Sequence, residues 1–316
     1  MGNNERSLIR TAELYYEEGL SQNAIAELLG TSRASISRML DEARECGIVE
    51  IIVHTPVSKN SKLSVRLREK FGLRDAVVVA GGSLPERALK SCGEAAASLL
   101  ETILGNNMTL GIVWGRAIQF CCDAISTDLD YHNVHVAQMV GCLGDGSSNL
   151  GGLDLSMKIA KKLNGTYSNI YAPVIIGNET VYSYLMNDRQ IKMAIDRAQK
   201  ADIILSGIGL PSDDHSSMFR AGCFTPEERQ DLIAKGGKAM VLSRWLDRDG
   251  KVLSCPGHYV VATPMETMRH AAWSIGICSA ADRAEAVLAT LRGGYLNALV
   301  VDESLALALL DDKNVL

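Results

Sequence analysis

The 316-residue chain predicts an α/β protein: a small N-terminal winged helix-turn-helix followed by a larger, doubly wound α/β domain. Three observations carry this. Two short amphipathic helical patterns flank Gly30. A polar stretch at residues 54–61, HTPVSKNS, has no apolar period and separates two domains, 1–53 and 62–316. Beyond it, short apolar runs alternate with helical patterns to the end of the chain.

In the first domain Ser21 is placed to cap a helix over Gln22–Leu29, with Ala24, Ile25, Leu28 and Leu29 at the three- and four-residue spacing of one buried face. Gly30 supplies a tight turn at positive φ. Thr31 or Ser32 caps a second helix running to about Cys46, whose inward face is Ile36, Met39, Leu40 and Ala43. Its first two turns leave Ser32, Arg33, Ser35, Ser37 and Arg38 facing out. That is the arrangement of a recognition helix, whose N-terminal residues enter the major groove of double-stranded DNA. The small hydroxyl residues let the helix approach phosphates closely, and the two arginines can bond guanine edges. Gln22, at the start of the preceding helix, joins this set. Gly47 stops the helix, and Ile48–Val53 reads as a strand of the wing.

In the second domain residues 62–71 form a short amphipathic helix, with Leu63, Leu67 and Phe71 four apart. Strands are then expected at 75–80, 108–114, 134–140, 170–174, 203–207, 238–246 and 274–277, with helices between them. In such sheets ligands bind beyond the C-terminal ends of strands. Three loops stand there: Gly115-Arg116-Ala117, the Gly-rich GCLGDGSSNLGG of Gly141–Gly152, and Gly207-Ile208-Gly209. None is a Walker or GxGxxG motif. Together they predict one pocket suited to an anion, with backbone N–H groups and Arg116 beside it.

Composition bounds the rest. An apolar fraction of 47% is ample for a packed core, and no apolar run reaches membrane-spanning length. Met1–Arg10 lacks a signal-peptide pattern, so a cytoplasmic protein with no membrane contact is expected. The eight cysteines include no CxxC pair and have no histidines at zinc-ligand spacing, so buried reduced thiols are expected, without metal or cofactor. Residues 1–53 hold 5 Arg against 9 Asp and Glu, a net charge of −4, whereas residues 54–70 carry +4. One copy therefore has little general attraction for a polyanion. An oligomer on a repeated or palindromic site is expected.

The residues now resemble a known family. Leu14-Tyr15-Tyr16, Gly19-Leu20-Ser21-Gln22, Ile25-Ala26, Leu29-Gly30, Ser32-Arg33, Ser37-Arg38, Ala43-Arg44 and Gly47-Ile48-Val49 resemble the SorC family of bacterial sugar-responsive transcriptional regulators. The likeness continues through Trp114-Gly115-Arg116, Gln138-Met139-Val140-Gly141, Ala201-Asp202-Ile203, Gly207-Ile208-Gly209 and Arg292–Asn297 to Val301-Asp302. It implies an effector domain similar in fold to ribose-phosphate isomerase and glucosamine-phosphate deaminase, a sugar or sugar phosphate as effector, and a dimer or tetramer. Carried over by this resemblance, Gly115, Arg116, Gln138, Gly141, Cys142, Gly144, Gly209 and Arg283 are the ligand-binding candidates.

The chain also departs from that pattern. Ala117 stands where many members have Thr or Ser, Met240 where many have an acidic residue, and Arg283 where many have Lys, which keeps a charge but forbids Schiff-base chemistry. Cys142 replaces a usual small residue. These departures point to an atypical effector, a small polar metabolite. The rival readings are a sugar-phosphate isomerase or deaminase-like enzyme, with a general base among Asp145, Asp213, Asp214 and His215, and a protein-docking module. No such enzyme requires the N-terminal domain, so a non-enzymatic regulator with no catalytic residue is the expectation.

Overall fold

The computed structural model describes residues 3–49, 59–80, 84–127, 129–143, 152–212 and 216–311. The chain divides into two compact units, Met1–Pro56 and Val57–Leu316.

The first unit holds α1 (Asn3–Ala12), a π-helical turn (Glu13–Glu17), α2 (Gln22–Leu28) and α3 (Arg33–Glu45). Ser21 caps α2 by accepting the Ala24 N–H, and Ser32 caps α3 by accepting the Ser35 N–H at 3.1 Å. Gly30 turns between them at φ +63°; open space surrounds its missing Cβ, so the backbone angle alone demands glycine. Leu14, Ile25, Ile36 and Leu40 make the core. One expectation fails here. Leu28 and Leu29, at and just past the end of α2, are exposed, and Ala26 joins Ile25 in the core. Cys46 and Gly47 form the turn that ends the helix, Ile48 and Val49 after it are in no strand, and the rest of the expected wing lies outside the described residues.

The second unit opens with α4 (Ser61–Phe71), capped by Asn60, so the final residues of the expected linker already belong to the fold. Lys59 bridges to Val79. Seven parallel strands follow: β1 (Asp75–Val79), β2 (Thr109–Ile112), β3 (His135–Gln138), β4 (Thr166–Ser168), β6 (Ile203–Gly207), β10 (Trp273–Cys278) and β11 (Ala298–Asp302). Their order across the sheet is β1-β11-β10-β6-β2-β3-β4. Small pairs form beside it: β5 (Ile175–Ile176) with β9 (Tyr259–Val260), and β7 (Ala239–Val241) with β8 (Arg244–Leu246). The connecting helices are α5 (Pro85–Ile103), α6 (Arg116–Ala124), α7 (Gly152–Lys162), α8 (Glu179–Asn187), α9 (Arg189–Ala198), α10 (Ser217–Arg220), α11 (Pro226–Ala234), α12 (Glu266–His270), α13 (Ala284–Arg292) and α14 (Glu303–Leu310).

The winding fixes where a ligand can sit. From β2 the chain steps outward to β3 and β4; from β6 it steps the other way to β10 and β11. The strands on either side of the β2–β6 boundary therefore send their C-terminal loops in opposite directions, leaving a crevice. Above it α5 crosses close to α6. A Cβ on Gly93 would lie 2.4 Å from that of Phe120, so only glycine lets the two helices meet and brings both their N-termini to the crevice.

Two strand expectations need correction. Residues 170–174 lie outside the sheet, with bends at Ala172 and Val174 and one bridge from Pro173 to Cys142; Ile170, Ala172 and Val174 are buried alternately, which mimics a strand's period. Residues 238–246 form a hairpin, not one strand, because Leu242 and Ser243 both take positive φ, +47° and +60°.

Candidate functional site

In the first unit the outward face of α3 is as expected from its pattern. Ser32, Arg33 and Arg38 are exposed, Ser35, Ser37 and Gln22 half-buried. The Ser32 and Ser35 hydroxyls lie 2.9 Å apart. Arg44, at the far end of α3, is paired with Asp41. Arg33 and Arg38 make no ion pair among the described residues, which leaves two unneutralised cations at the start of the helix.

In the second unit a cavity of about 850 Å³ opens at the winding reversal. Its walls come from four strand ends. Val113 to Ile118 follow β2, Gly207 ends β6 and Ile208 and Gly209 follow it, Ile277 to Ala280 with Asp282 and Arg283 end and follow β10, and Leu84 to Arg87 with Leu89 and Lys90 open α5 after β1. Met240, Leu242 and Ser243 of the β7–β8 hairpin and Ser216 to Met218 of α10 complete it. The starts of α5 and α6 have no side-chain cap, so their first N–H groups are available to an anion. Arg116 and Arg283 are half-buried there, and the Arg283 guanidinium donates to the Ile208 carbonyl at 3.2 Å.

The backbone is shaped locally. Gly115 takes φ +138°. Ala280 takes φ +80°, a region that costs a residue with a Cβ about 1–3 kcal/mol. Its N–H is held by the buried Asp302 carboxylate at 2.9 Å, which also caps α14. Burial pushes the Cys278 thiol up to about 11, so it is a neutral wall group. Among the described residues the cavity lining contains no histidine, and its two described carboxylates, Glu86 and Asp282, are exposed.

Of the sequence-predicted ligand residues, Gly115, Arg116, Gly209 and Arg283 line this cavity. Gln138, Gly141 and Cys142 do not. They sit at the end of β3, on the far side of β2, where residues 172–174 and Thr263 fill the space. A Cβ on Gly141 would meet the Ala172 and Pro173 carbonyls at 2.6 and 2.9 Å, so this glycine serves close packing. Its carbonyl accepts the Trp114 indole N–H at 2.9 Å, tying this corner to the cavity wall. Gln138 donates to the Val140 carbonyl, and its buried Oε1 has no partner among the described residues. The Cys142 thiol donates to the Ile170 carbonyl, and burial raises its pKa. Gly144, Asp145, Asp213, Asp214 and His215 lie outside the described residues. Sequence reasoning missed the α5 start and the β7–β8 hairpin. The first had a signal, since residues 84–90 follow a strand end; the second had none.

Among the described residues no group of three or more His, Cys, Asp or Glu could hold a metal ion, and no helix is long and apolar enough to cross a membrane. All eight cysteines are free.

Comparison with known proteins gives a consistent result. Residues 55–311 match the family "Putative sugar-binding domain" (Sugar-bind). The sorbitol operon regulator of Klebsiella pneumoniae is 29% identical over 308 residues, covering 96% of this chain and 98% of that protein. The deoxyribonucleoside regulator of Bacillus subtilis is 27% identical, covering 96% and 97%. The crystal structure of full-length SorC from Klebsiella pneumoniae superposes with a TM-score of 0.75 at 28% identity, over 98% of this chain and 100% of that one. With its helix-turn-helix, its winding-reversal cavity and this match across its length, the chain belongs to the SorC family of transcriptional regulators, and residues 55–311 correspond to that family's effector domain.

Proposed function

We propose that this regulator binds an operator through Gln22, Ser32, Arg33, Ser35, Ser37 and Arg38, and that a small carbohydrate-like or phosphosugar effector in the winding-reversal cavity sets its DNA affinity. The observation that carries the effector half is the cavity itself, where two uncapped helix starts and Arg116 and Arg283 converge at the β2–β6 boundary. The DNA half rests on the two unpaired arginines at the start of α3.

A net charge of −4 over residues 1–53 makes one copy a weak binder. A dimer or tetramer on paired half-sites supplies the missing affinity, and the effector acts by favouring one arrangement of recognition helices. A regulator, rather than an enzyme, fits a cavity lined by exposed carboxylates and by no described histidine.

Two measurements test this. A gel shift with the DNA upstream of the protein's own gene should show a retarded complex. A thermal-shift screen of sugars, sugar phosphates and small organic acids should yield a stabilising compound whose effect is lost in Arg116→Ala. Turnover of ribose phosphate or glucosamine phosphate would overturn the regulator reading.

A further inference from the structure

The cavity is strongly two-sided. Apart from Ser243 and Ser279, its buried lining side chains are hydrocarbon, thioether, thiol or indole, among them Ile118, Met218, Met240, Leu242 and Ile277. The one indole N–H, on Trp114, is already committed to the Gly141 carbonyl.

Several backbone polar groups of this floor are already bonded within the fold. Gly209 exchanges both its N–H and its C=O with Met240 at 2.9 Å. The Ile208 carbonyl accepts Arg283, the Gly207 carbonyl accepts the Ser206 hydroxyl, and the Leu242 carbonyl accepts Arg244. Met240 is 6% exposed, and a Cβ on Gly209 would lie 3.2 Å from its Cε, so the thioether is packed tightly over that strand end. Among the described lining residues the charge lies on half-buried or exposed side chains: Arg87, Lys90, Arg116 and Arg283 against Glu86 and Asp282, a net of +2.

A sugar carrying a hydroxyl on each carbon would place several donors and acceptors against the apolar side chains of Ile118, Met240, Leu242 and Ile277, with Ser216, Ser217, Ser243 and Ser279 the hydroxyls of the described lining. Each unmatched hydroxyl costs affinity. Each CH₂ placed there instead gains about fourfold from burial of apolar surface. We infer that the effector of this cavity is an anion with a deoxygenated or alkyl body: the charged group sits among the cations of the mouth, and the apolar part lies on Met240, Met218 and Leu242. This deepens the reading of the cavity as the effector site and rests on it.

The test is calorimetric titration of the full chain with three probes: n-hexyl phosphate, glucose 6-phosphate and inorganic phosphate. The first two share six carbons and one phosphate and differ in hydroxylation. Hexyl phosphate is expected to bind at least tenfold more tightly than glucose 6-phosphate, inorganic phosphate to bind more weakly than hexyl phosphate, and Arg116→Ala to weaken both organic probes. Met240→Asp should shift the ratio toward glucose 6-phosphate by about tenfold or more. Tighter binding of glucose 6-phosphate to the unaltered chain, lost in Arg116→Ala, would overturn the inference and leave the cavity as the effector site. Binding of neither organic probe at millimolar concentration would also overturn it. Organic-probe binding untouched by Arg116→Ala would remove the effector site from this cavity, and the inference with it.

Discussion

The start of α3 and the mouth of the cavity both gather arginines at a helix N-terminus, yet they are built on different scales. At α3, Ser32, Arg33, Ser35, Ser37 and Arg38 lie within one helical stretch, and one cap and one glycine turn place them all. At the cavity, Arg87, Arg116, Gly209, Met240 and Arg283 come from five places in a chain of 316 residues and meet only because the sheet reverses its winding. A surface written in one helix depends on few contacts and should tolerate change nearby. A cavity assembled from strand ends depends on the packing behind it.

The largest expected effect is on the local surface. Arg33→Ala with Arg38→Ala should weaken operator binding by about 30-fold or more in a gel shift, since each base-directed arginine is worth about 1–3 kcal/mol. The thermal stability of the second unit should not change.

The next effect separates packing from ligand contact. Gly141→Ala should lose about 2 kcal/mol of stability in denaturant unfolding, because backbone atoms of residues 172–174 stand 2.6–2.9 Å from the new Cβ. If Gly141 instead contacts the effector, stability will hold and effector affinity will fall.

Ala280→Gly should act in the opposite direction and raise stability by about 1 kcal/mol, since it relieves the φ of +80° while leaving the Asp302 contact in place. A loss of stability would show that the Ala280 methyl packs favourably enough to offset its backbone strain.

The smallest effect is a pH dependence away from the cavity. His135 bonds Thr166 and Ser168 of the edge strand at 2.8 and 2.9 Å, and burial, with a lesser push from Arg197, lowers its pKa. The folded state thus favours the neutral ring. This stabilisation is complete above the unfolded value of about 6.5 and is lost as pH falls below it. His135→Gln should flatten that part of the stability profile relative to the unaltered chain.

The same division of scale governs what was legible in the sequence. Ser21, Gly30 and Ser32 announce their helix ends because caps and positive-φ turns are short-range devices. The apolar runs of β1, β2, β3, β6 and β10 announce buried parallel strands. Residues 170–174 deceive because alternate burial in a small satellite core has the same period as a strand. The β7–β8 turn is silent because Leu242 and Ser243 adopt a backbone that Asn-Gly would signal. Of the three loops expected to converge, those after β2 and β6 meet at the cavity. The loop after β3 carries the same glycine signal, but its described part, Gly141–Leu143, lies one strand too far across the sheet. Strand order is a long-range property that no local pattern reports.

The central claim is that occupancy of the cavity changes affinity for DNA. The direct measurement is the dissociation constant of the full chain for its upstream DNA, with and without a compound found to stabilise it, in the unaltered protein and in Arg116→Ala. A change of about fivefold or more in the unaltered protein, absent in the variant, is the predicted result. A compound that stabilises the chain through Arg116 and leaves DNA affinity unchanged would contradict it.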